Sequence, residues 1–348
     1  MKILHFIDSL DYGGAEALLM SYIPLLTSYD HLVVTLNGPN VYPRTGYQYH
    51  QLNMNTKFQF FKTVKKLRKI IKDEEVSIIH SHTFWTNIIS RRATPGNLKL
   101  FNHYHFADYD TMPEKWGVKR MMMVDRLIGH RQLHRVAVSS YIGQVLTGIF
   151  KNKPVTVLPN FIQSSFLASE SRNTRVKGTL NIVAVGNCNV EKNYEIILDA
   201  FELLKDEQIR LDVYGGGDRL EYYKNEVRRR ELTKINFFGL TPGIRERLST
   251  YDLFISSSLS ETFGIAVLEA IAAGLPILVS DIPAYREITP ARTNFFDPGN
   301  SQELARMLKH ISNNDITVDQ QEYNSVLKKY SSDSFITKLK DLYNGGLK

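Results

Sequence analysis

Cysteine is nearly absent: the 348-residue chain has one, Cys188. A single thiol excludes a disulfide framework and any zinc site built on cysteines, and it fits a reducing compartment. Long apolar runs are missing too. No stretch of about 18 apolar residues occurs, so no segment is expected to cross a bilayer. The opening MKILHFIDSLDYGG carries one lysine and is interrupted by Asp8 after a few apolar residues, too short and too polar for a secretory leader. The expected location is cytoplasmic, with any membrane contact peripheral and on the inner face. No fixed-period repeat is visible, which argues against a solenoid. Gly215-Gly216-Gly217 lacks both the G-x-G-x-x-G spacing and the timely acidic residue of a dinucleotide site.

What is present is a chain about twice the usual single-domain length, so two domains are expected. With 43% hydrophobic and 23% charged residues it is neither disordered nor fibrous. The charge is lopsided. Residues 1–175 hold 22 Lys+Arg against 12 Asp+Glu, a net of +10, whereas the remainder holds 21 against 24, a net of −3. A basic N-terminal half suggests an anionic partner. Nucleic acid has only this net charge in its favour and is not expected.

Short apolar runs alternate with helical stretches. Strands are expected at Lys2–Ile7, Leu32–Leu36, Val76–His80, Leu98–His103, Val136–Val138 and Val155–Leu158, with helices from about Ala15 to Leu26 and over Phe60–Lys72. Residues from Gln163 to Lys177 are polar and aperiodic, as a linker would be. The alternation then restarts: strands at Asn181–Val185, Arg210–Tyr214, Ile235–Phe238, Leu253–Ser256 and Pro276–Val279 bracket helices at Tyr194–Leu204, Arg219–Arg230, Ile244–Thr250 and Ile265–Ala272. Such alternation implies two parallel sheets wrapped by helices, with ligands beyond the carboxyl ends of the strands and a cleft between the domains as the expected site. The last helix, Ser334–Tyr343, is expected to pack back near the N-terminal domain.

The strongest local signal is Ser256–Gly274, SSSLSETFGIAVLEAIAAG. A strand end, a polar loop with Glu261 and a helix opening at Gly264 present backbone N–H groups to an anion, aided by the helix dipole. Glu269 follows eight positions after Glu261, inside an otherwise apolar helix, where a carboxylate suits sugar hydroxyls. The alternative leaves both on a solvated face.

This stretch, Glu-x7-Glu followed by Ala-x-Ala-x-Gly-x-Pro, resembles the signature of the family 4 retaining glycosyltransferases. Gly13-Gly14-Ala15-Glu16, IIHSH, VTVLPN, VAVGNCNVEKN, LDVYGGG and FFGL follow in the family's order, so the resemblance covers nearly the whole chain. It implies the α/β GT-B fold, two Rossmann-like domains facing each other across a cleft: an acceptor-side domain over 1–165, a linker at 166–178, a nucleotide-sugar-binding domain over 179–332 and a C-terminal helix over 333–348. Carried over residue by residue, Glu269 is expected to bind the nucleotide's ribose and Glu261 the transferred sugar. The backbone of Phe263, Gly264 and Ile265 would meet the diphosphate or sugar. Gly14 would let the N-terminal loop close over the diphosphate, and main-chain groups near Leu240 would meet the base. Lys192 is the cation expected to neutralise the leaving diphosphate, in place of a metal. Asn187 stands where the family usually has Arg, which removes a bidentate phosphate clamp. Cys188 beside it is read as a small buried residue rather than a nucleophile.

In FNHYHFADYD, His103 and His105 alternate and point to one face. The family's catalytic histidine ends this strand, which favours His105, with a core histidine as the alternative; His82 is read as a wall of the cleft. Asp108-Tyr109-Asp110 matches the metal motif of unrelated GT-A enzymes but lies in an expected loop of the wrong fold, so no metal site is expected. The basic excess concentrates in FQFFKTVKKLRKII, with Lys65 and Lys66, and in Lys115–Arg135, with Lys119, Arg120 and Arg126 around Trp116. These segments suit an anionic membrane or a lipid-diphosphate acceptor, the second more than the first, against the alternative of solvated helix faces.

The expected activity is retaining transfer of a sugar from a nucleoside-diphosphate sugar, a UDP-sugar ahead of a GDP-sugar, to a lipid-linked saccharide acceptor in bacterial-type surface polysaccharide or glycolipid synthesis, without cofactor or metal. A GT-B relative with epimerase or phosphorylase chemistry, or an inactive assembly partner, are the alternatives.

Overall fold

A computed structural model describes residues 1–11, 13–151, 153–163, 178–314 and 317–345. The chain divides into two compact units, Met1–Phe161 with Ser332–Lys348, and Ile162–Ser331. The linker expected over 166–178 lies, Gly178 aside, outside the described residues.

The first unit holds a parallel seven-stranded sheet: β1 (Lys2–Ile7), β2 (Asp30–Thr35), β3 (Gln48–Gln51), β4 (Ile78–Ser81), β5 (Lys99–Tyr104), β6 (Leu133–Ala137) and β7 (Val155–Val157), in the order β3-β2-β1-β4-β5-β6-β7. Strands covered on both faces read as continuous apolar runs, as β1 does. Its Ile3 and Ile7 face Leu19 and Tyr22 of the helix Gly14–Tyr22 and Phe335, Leu339 and Tyr343 of the helix Ser332–Asn344. Its Leu4 and Phe6 face Val64, Leu67 and Ile71 of the helix Phe60–Asp73. Each such burial contributes roughly 1.5–3 kcal/mol.

Two local differences from expectation have simple causes. The first helix stops at Tyr22 and tightens into a 3-10 turn over Ile23–Leu25, because Pro24 cannot continue the hydrogen-bond ladder. β3 (QYHQ) has no apolar run to announce it; it is a short polar edge strand in register with β2.

The second unit holds a parallel six-stranded sheet: β8 (Leu180–Val185), β9 (Ile209–Tyr214), β10 (Ile235–Gly239), β11 (Leu253–Ser256), β12 (Ile277–Ser280) and β13 (Asn294–Phe296), in the order β10-β9-β8-β11-β12-β13. In both sheets the chain starts in the middle and builds outward in two directions. The direction reverses between β1 and β4 in one unit and between β8 and β11 in the other. Loops leaving such a pair diverge, which opens a crevice at the strands' carboxyl ends.

Candidate active site

In the second unit that crevice is floored by the loops after β8 and β11. The aliphatic stem of Lys192 crosses Gly186, where a Cβ would stand 2.9 Å from Lys192 Cε, so a side chain there would push the lysine aside. The Lys192 ammonium pairs with the Glu261 carboxylate. Glu261 also accepts hydrogen bonds from Ser258 Oγ at 3.0 Å and the Tyr285 hydroxyl at 3.3 Å. Ser257 Oγ donates to the Lys192 carbonyl at 2.7 Å, and the Leu259 N–H to the Glu191 carbonyl at 2.8 Å. The two loops are thus held together through both side chains and backbone. Ser257, Ser258 and Tyr285 were not legible as site residues; the serine-rich run before Glu261 was the available signal.

Gly264 caps the helix Ile265–Ala272 with φ at +99°, and a Cβ there would meet Tyr285 Cε1 at 2.7 Å. Both facts require glycine. The turn leaves the first helical N–H groups without intrahelical acceptors at the mouth of the crevice. Phe263 is buried edge-on against Tyr330 and anchors the turn, and Ile265 is half-buried. Glu269 is 5% exposed, which removes the solvated-face alternative for it. Asn187 is exposed, and Leu240, 69% exposed, projects beside Gly216. Burial pushes the Cys188 thiol up to about 11. It therefore remains a thiol at neutral pH, as a structural residue would.

In the first unit, Gly14 opens the helix Gly14–Tyr22 with nothing near its Cβ position, and Glu16 stands against Gly13. Burial raises the carboxyls of Glu16 and Asp8 above the usual range, and for Glu16 the nearby Asp8 and Asp11 add to this.

The carboxyl ends of β1, β4 and β5 carry histidines. Register pairs His5 with His80, and the two-residue alternation sets His80 and His82, and His103 and His105, on the same face. Their rings stack: His80 on His82 at 4.4 Å and His80 on His103 at 5.3 Å, with His103 and His105 4.2 Å apart. Burial holds all five well below the ordinary imidazole range, with the neighbouring histidines adding to it for His5, His80, His82 and His103; His105 falls to about 3. All five are neutral at pH 7. His105 lies just past β5 and is partly exposed, while His103 is wholly buried. His82, expected as a wall of the cleft, is itself fully buried behind His105, its Nδ1 3.4 Å from His105 Nε2. Among the described residues, two groups of three metal-ligating side chains have ligand atoms within 4.8 Å of one another, and both are histidine: His5, His80, His82 and His82, His103, His105.

Asp108-Tyr109-Asp110 forms a short helix, Asp108–Thr111, rather than a loop. Tyr109 turns inward to donate to Asp125, and Asp110 accepts from Tyr141. Of the basic residues, Lys65 and Arg120 are exposed, with Arg120 lying 4.5 Å over the Trp116 ring. Lys66 donates to the Leu52 carbonyl at 2.8 Å, Arg126 to the Ile149 carbonyl at 3.1 Å, and Lys119 pairs with Glu114 at 2.6 Å. No helix among the described residues is long and apolar enough to cross a membrane.

Known proteins resemble the chain over most of its length. Residues 12–166 match the model of glycosyltransferase family 4, and residues 168–331 that of glycosyl transferases group 1. EpsF of Bacillus subtilis, named as a glycosyltransferase, is 25% identical over 312 residues, 80% of this chain and 79% of its own length. The alpha-monoglucosyldiacylglycerol synthase of Streptococcus pneumoniae is 26% identical over 246 residues, 64% of this chain and 56% of the synthase. A crystal structure of Anabaena HepE in complex with UDP and glucose superposes with a TM-score of 0.83 at 16% identity over 99% of both chains, which establishes the fold as GT-B. The two family models together span nearly all of residues 12–331, well over half of the chain, so the protein belongs to the family 4 glycosyltransferases.

Proposed function

We propose that the chain is a retaining glycosyltransferase that moves a sugar from a nucleoside-diphosphate sugar to a saccharide acceptor, lipid-linked, in surface polysaccharide or glycolipid synthesis at the inner face of the membrane. The observation that carries this reading is the Lys192–Glu261 pair at the divergence of β8 and β11, beside the helix N-terminus at Gly264. A diphosphate and a hydroxyl-rich sugar are the two chemistries this combination suits. When a donor binds, its diphosphate takes Lys192 and the backbone N–H groups, while Glu261, released from the lysine, turns to the sugar hydroxyls. Glu269 is assigned to the ribose and the backbone near Leu240 to the base. Gly14 lets its loop approach the diphosphate, and His105 contacts the transferred sugar as a neutral imidazole.

In the transfer itself the acceptor oxygen bonds to the anomeric carbon on the face that the diphosphate leaves. The carbon–oxygen bond breaks with its electron pair going to the diphosphate, and the acceptor proton follows to a departing phosphate oxygen. Lys192 stabilises the charge that develops there, so the step calls for no metal or cofactor. A UDP-sugar is the expected donor, since HepE was crystallised with UDP. Thermal-shift screening of UDP- and GDP-sugars identifies the donor by mass action. Lys192→Ala is then expected to lower kcat about 100- to 1,000-fold, as loss of a transition-state charge partner does, with donor affinity falling less. An unchanged kcat would overturn the assignment.

A further inference from the structure

Three buried histidines of the first unit, His31, His5 and His82, form with Tyr22 one hydrogen-bonded chain whose proton positions can be deduced from its end. The Leu26 carbonyl can only accept, so His31 Nε2, 3.1 Å away, carries a proton and donates to it. A neutral His31 then has a lone pair at Nδ1, which accepts from His5 Nε2 at 3.0 Å. His5 Nδ1 accepts from the Tyr22 hydroxyl at 3.3 Å, and the Tyr22 oxygen accepts from His82 Nε2 at 3.4 Å. Every donor points the same way. His82 is therefore left with its lone pair at Nδ1, aimed at His105.

That lone pair has unusual company. The His82 Nδ1 to His105 Nε2 separation of 3.4 Å is long for a hydrogen bond. It matches the edge of a tetrahedron of nitrogens about a zinc ion, about 3.3 Å for bonds of about 2.0–2.1 Å. Beside them His103 is wholly buried, yet neither ring nitrogen has a hydrogen-bond partner of normal geometry, only a contact with the Leu158 backbone. Unpartnered buried nitrogens are costly, and a metal relieves that cost. The other histidine trio offers less: both nitrogens of His5 are engaged and His80 Nδ1 is hydrogen-bonded with the Tyr343 hydroxyl at 2.7 Å.

We infer that His82, His103 and His105 form a transition-metal site for Zn2+ or a similar nitrogen-preferring divalent ion. His82 Nδ1, His105 Nε2 and one nitrogen of His103 are the ligands, and Tyr22, His5 and His31 orient the set from behind, as outer partners of metal-binding histidines do. His105, alone of the three partly exposed, supplies the entry side and the open fourth position. The bound ion takes the nitrogen lone pair of His105, so it acts as an inhibitor of transfer. Metal binding is independent of the proposed function; only this inhibitory consequence rests on it.

The test uses the full chain dialysed against EDTA and titrated with Co2+, whose visible d–d absorption reports a tetrahedral site. One Co2+ per chain is expected, competed off by Zn2+ and lost in both His103→Gln and His105→Gln. Circular dichroism checks that these variants fold; His105→Gln, at the rim, disturbs packing least. Tyr22→Phe keeps the three ligands but removes their outer partner and is expected to bind about 10- to 100-fold more weakly. No tetrahedral band, a band unaffected in folded His105→Gln, or one lost in His5→Gln but kept in His103→Gln would each overturn the site. EDTA-treated protein is expected to transfer sugar and Zn2+ to stop it. Zinc that binds at these residues without slowing transfer keeps the site and refutes the role given to His105.

Discussion

Acid should unfold the first unit well before it harms a typical domain. His5, His80, His82, His103 and His105 are neutral in the native state because burial depresses them, whereas in the unfolded chain each titrates near 6.5. Below that pH the unfolded chain binds more protons than the native one, so stability falls as pH falls; above about 6.5 the effect is absent. Each such group contributes a slope of up to about 1.4 kcal/mol per pH unit. Five acting together approach about 7 kcal/mol per unit, against a total stability of about 5–15 kcal/mol. Unfolding is thus expected within about one to two units below 6.5. The two tryptophans, Trp85 and Trp116, both lie in this unit, so intrinsic fluorescence reports on it selectively. Thermal melts followed this way should show Tm constant above pH 7 and falling steeply from pH 6.5 toward 5. His103→Gln should reduce the slope by roughly one fifth, one group of the five. A Tm that stays flat between pH 7 and 5.5 would refute the picture of five neutral imidazoles.

Glu261→Gln should bind free nucleoside diphosphate more tightly than wild type, because it frees Lys192 from its carboxylate, while losing turnover with the complete donor; calorimetry and initial rates separate the two. Glu269→Ala should weaken donor binding, and an unchanged calorimetric affinity would remove it from the ribose. Neutralising Lys62, Lys65 and Lys72 together should reduce binding to anionic vesicles more than neutralising Lys119, Arg120 and Arg126. A smaller loss would make the second segment the better membrane face, and equal losses would refute the ranking.

What the sequence discloses about this fold is what local periodicity carries. β1, β11 and the helix Ile265–Ala272 are apolar runs with clear ends, and they were read with the right bounds. The helix Phe84–Ala93 escapes such reading because it packs with polar residues. Asn87, Ser90 and Arg91 are buried, with Ser81 donating to Asn87, Asn102 donating to Ser90, and Arg91 bound to Asn102, Tyr104 and Asp125. Those partners are scattered over a long stretch of sequence, so no hydrophobic period announces the helix. The site divides in the same way. Glu261 and Glu269 share one segment and were legible by spacing, but Tyr285, which orients Glu261, comes from a different helix. The His82–His103–His105 group was visible only as two short alternations. Its continuation through Tyr22, His5 and His31 depends on β2, β1 and β4 lying side by side, which spacing along the chain does not reveal.

The charge asymmetry also changes meaning once the side chains have partners. Several N-terminal cations belong to the unit's own construction. Arg91 is fully buried against Asp125, Lys2 pairs with Glu74, Lys69 with Asp73 and Lys119 with Glu114. These pairs neutralise one another and add little field at the surface. Lys66, Arg68 and Arg126 bind backbone carbonyls, which hold the cation in place without cancelling its charge. Unneutralised charge therefore remains on the outer side of the helix Phe60–Asp73, where Lys62, Lys65, Lys66, Arg68 and Lys72 are exposed and Phe58 and Phe61 stand 98% and 82% exposed at its start. The segment around Trp116, itself 72% exposed, keeps Lys115, Arg120, Arg126 and Arg131 exposed but loses Lys119 to its partner. An anionic surface is attracted by unpaired charge and anchored by exposed aromatic area. By both measures the helix Phe60–Asp73, with its five exposed cations and two exposed phenylalanines, is the stronger candidate for such a surface.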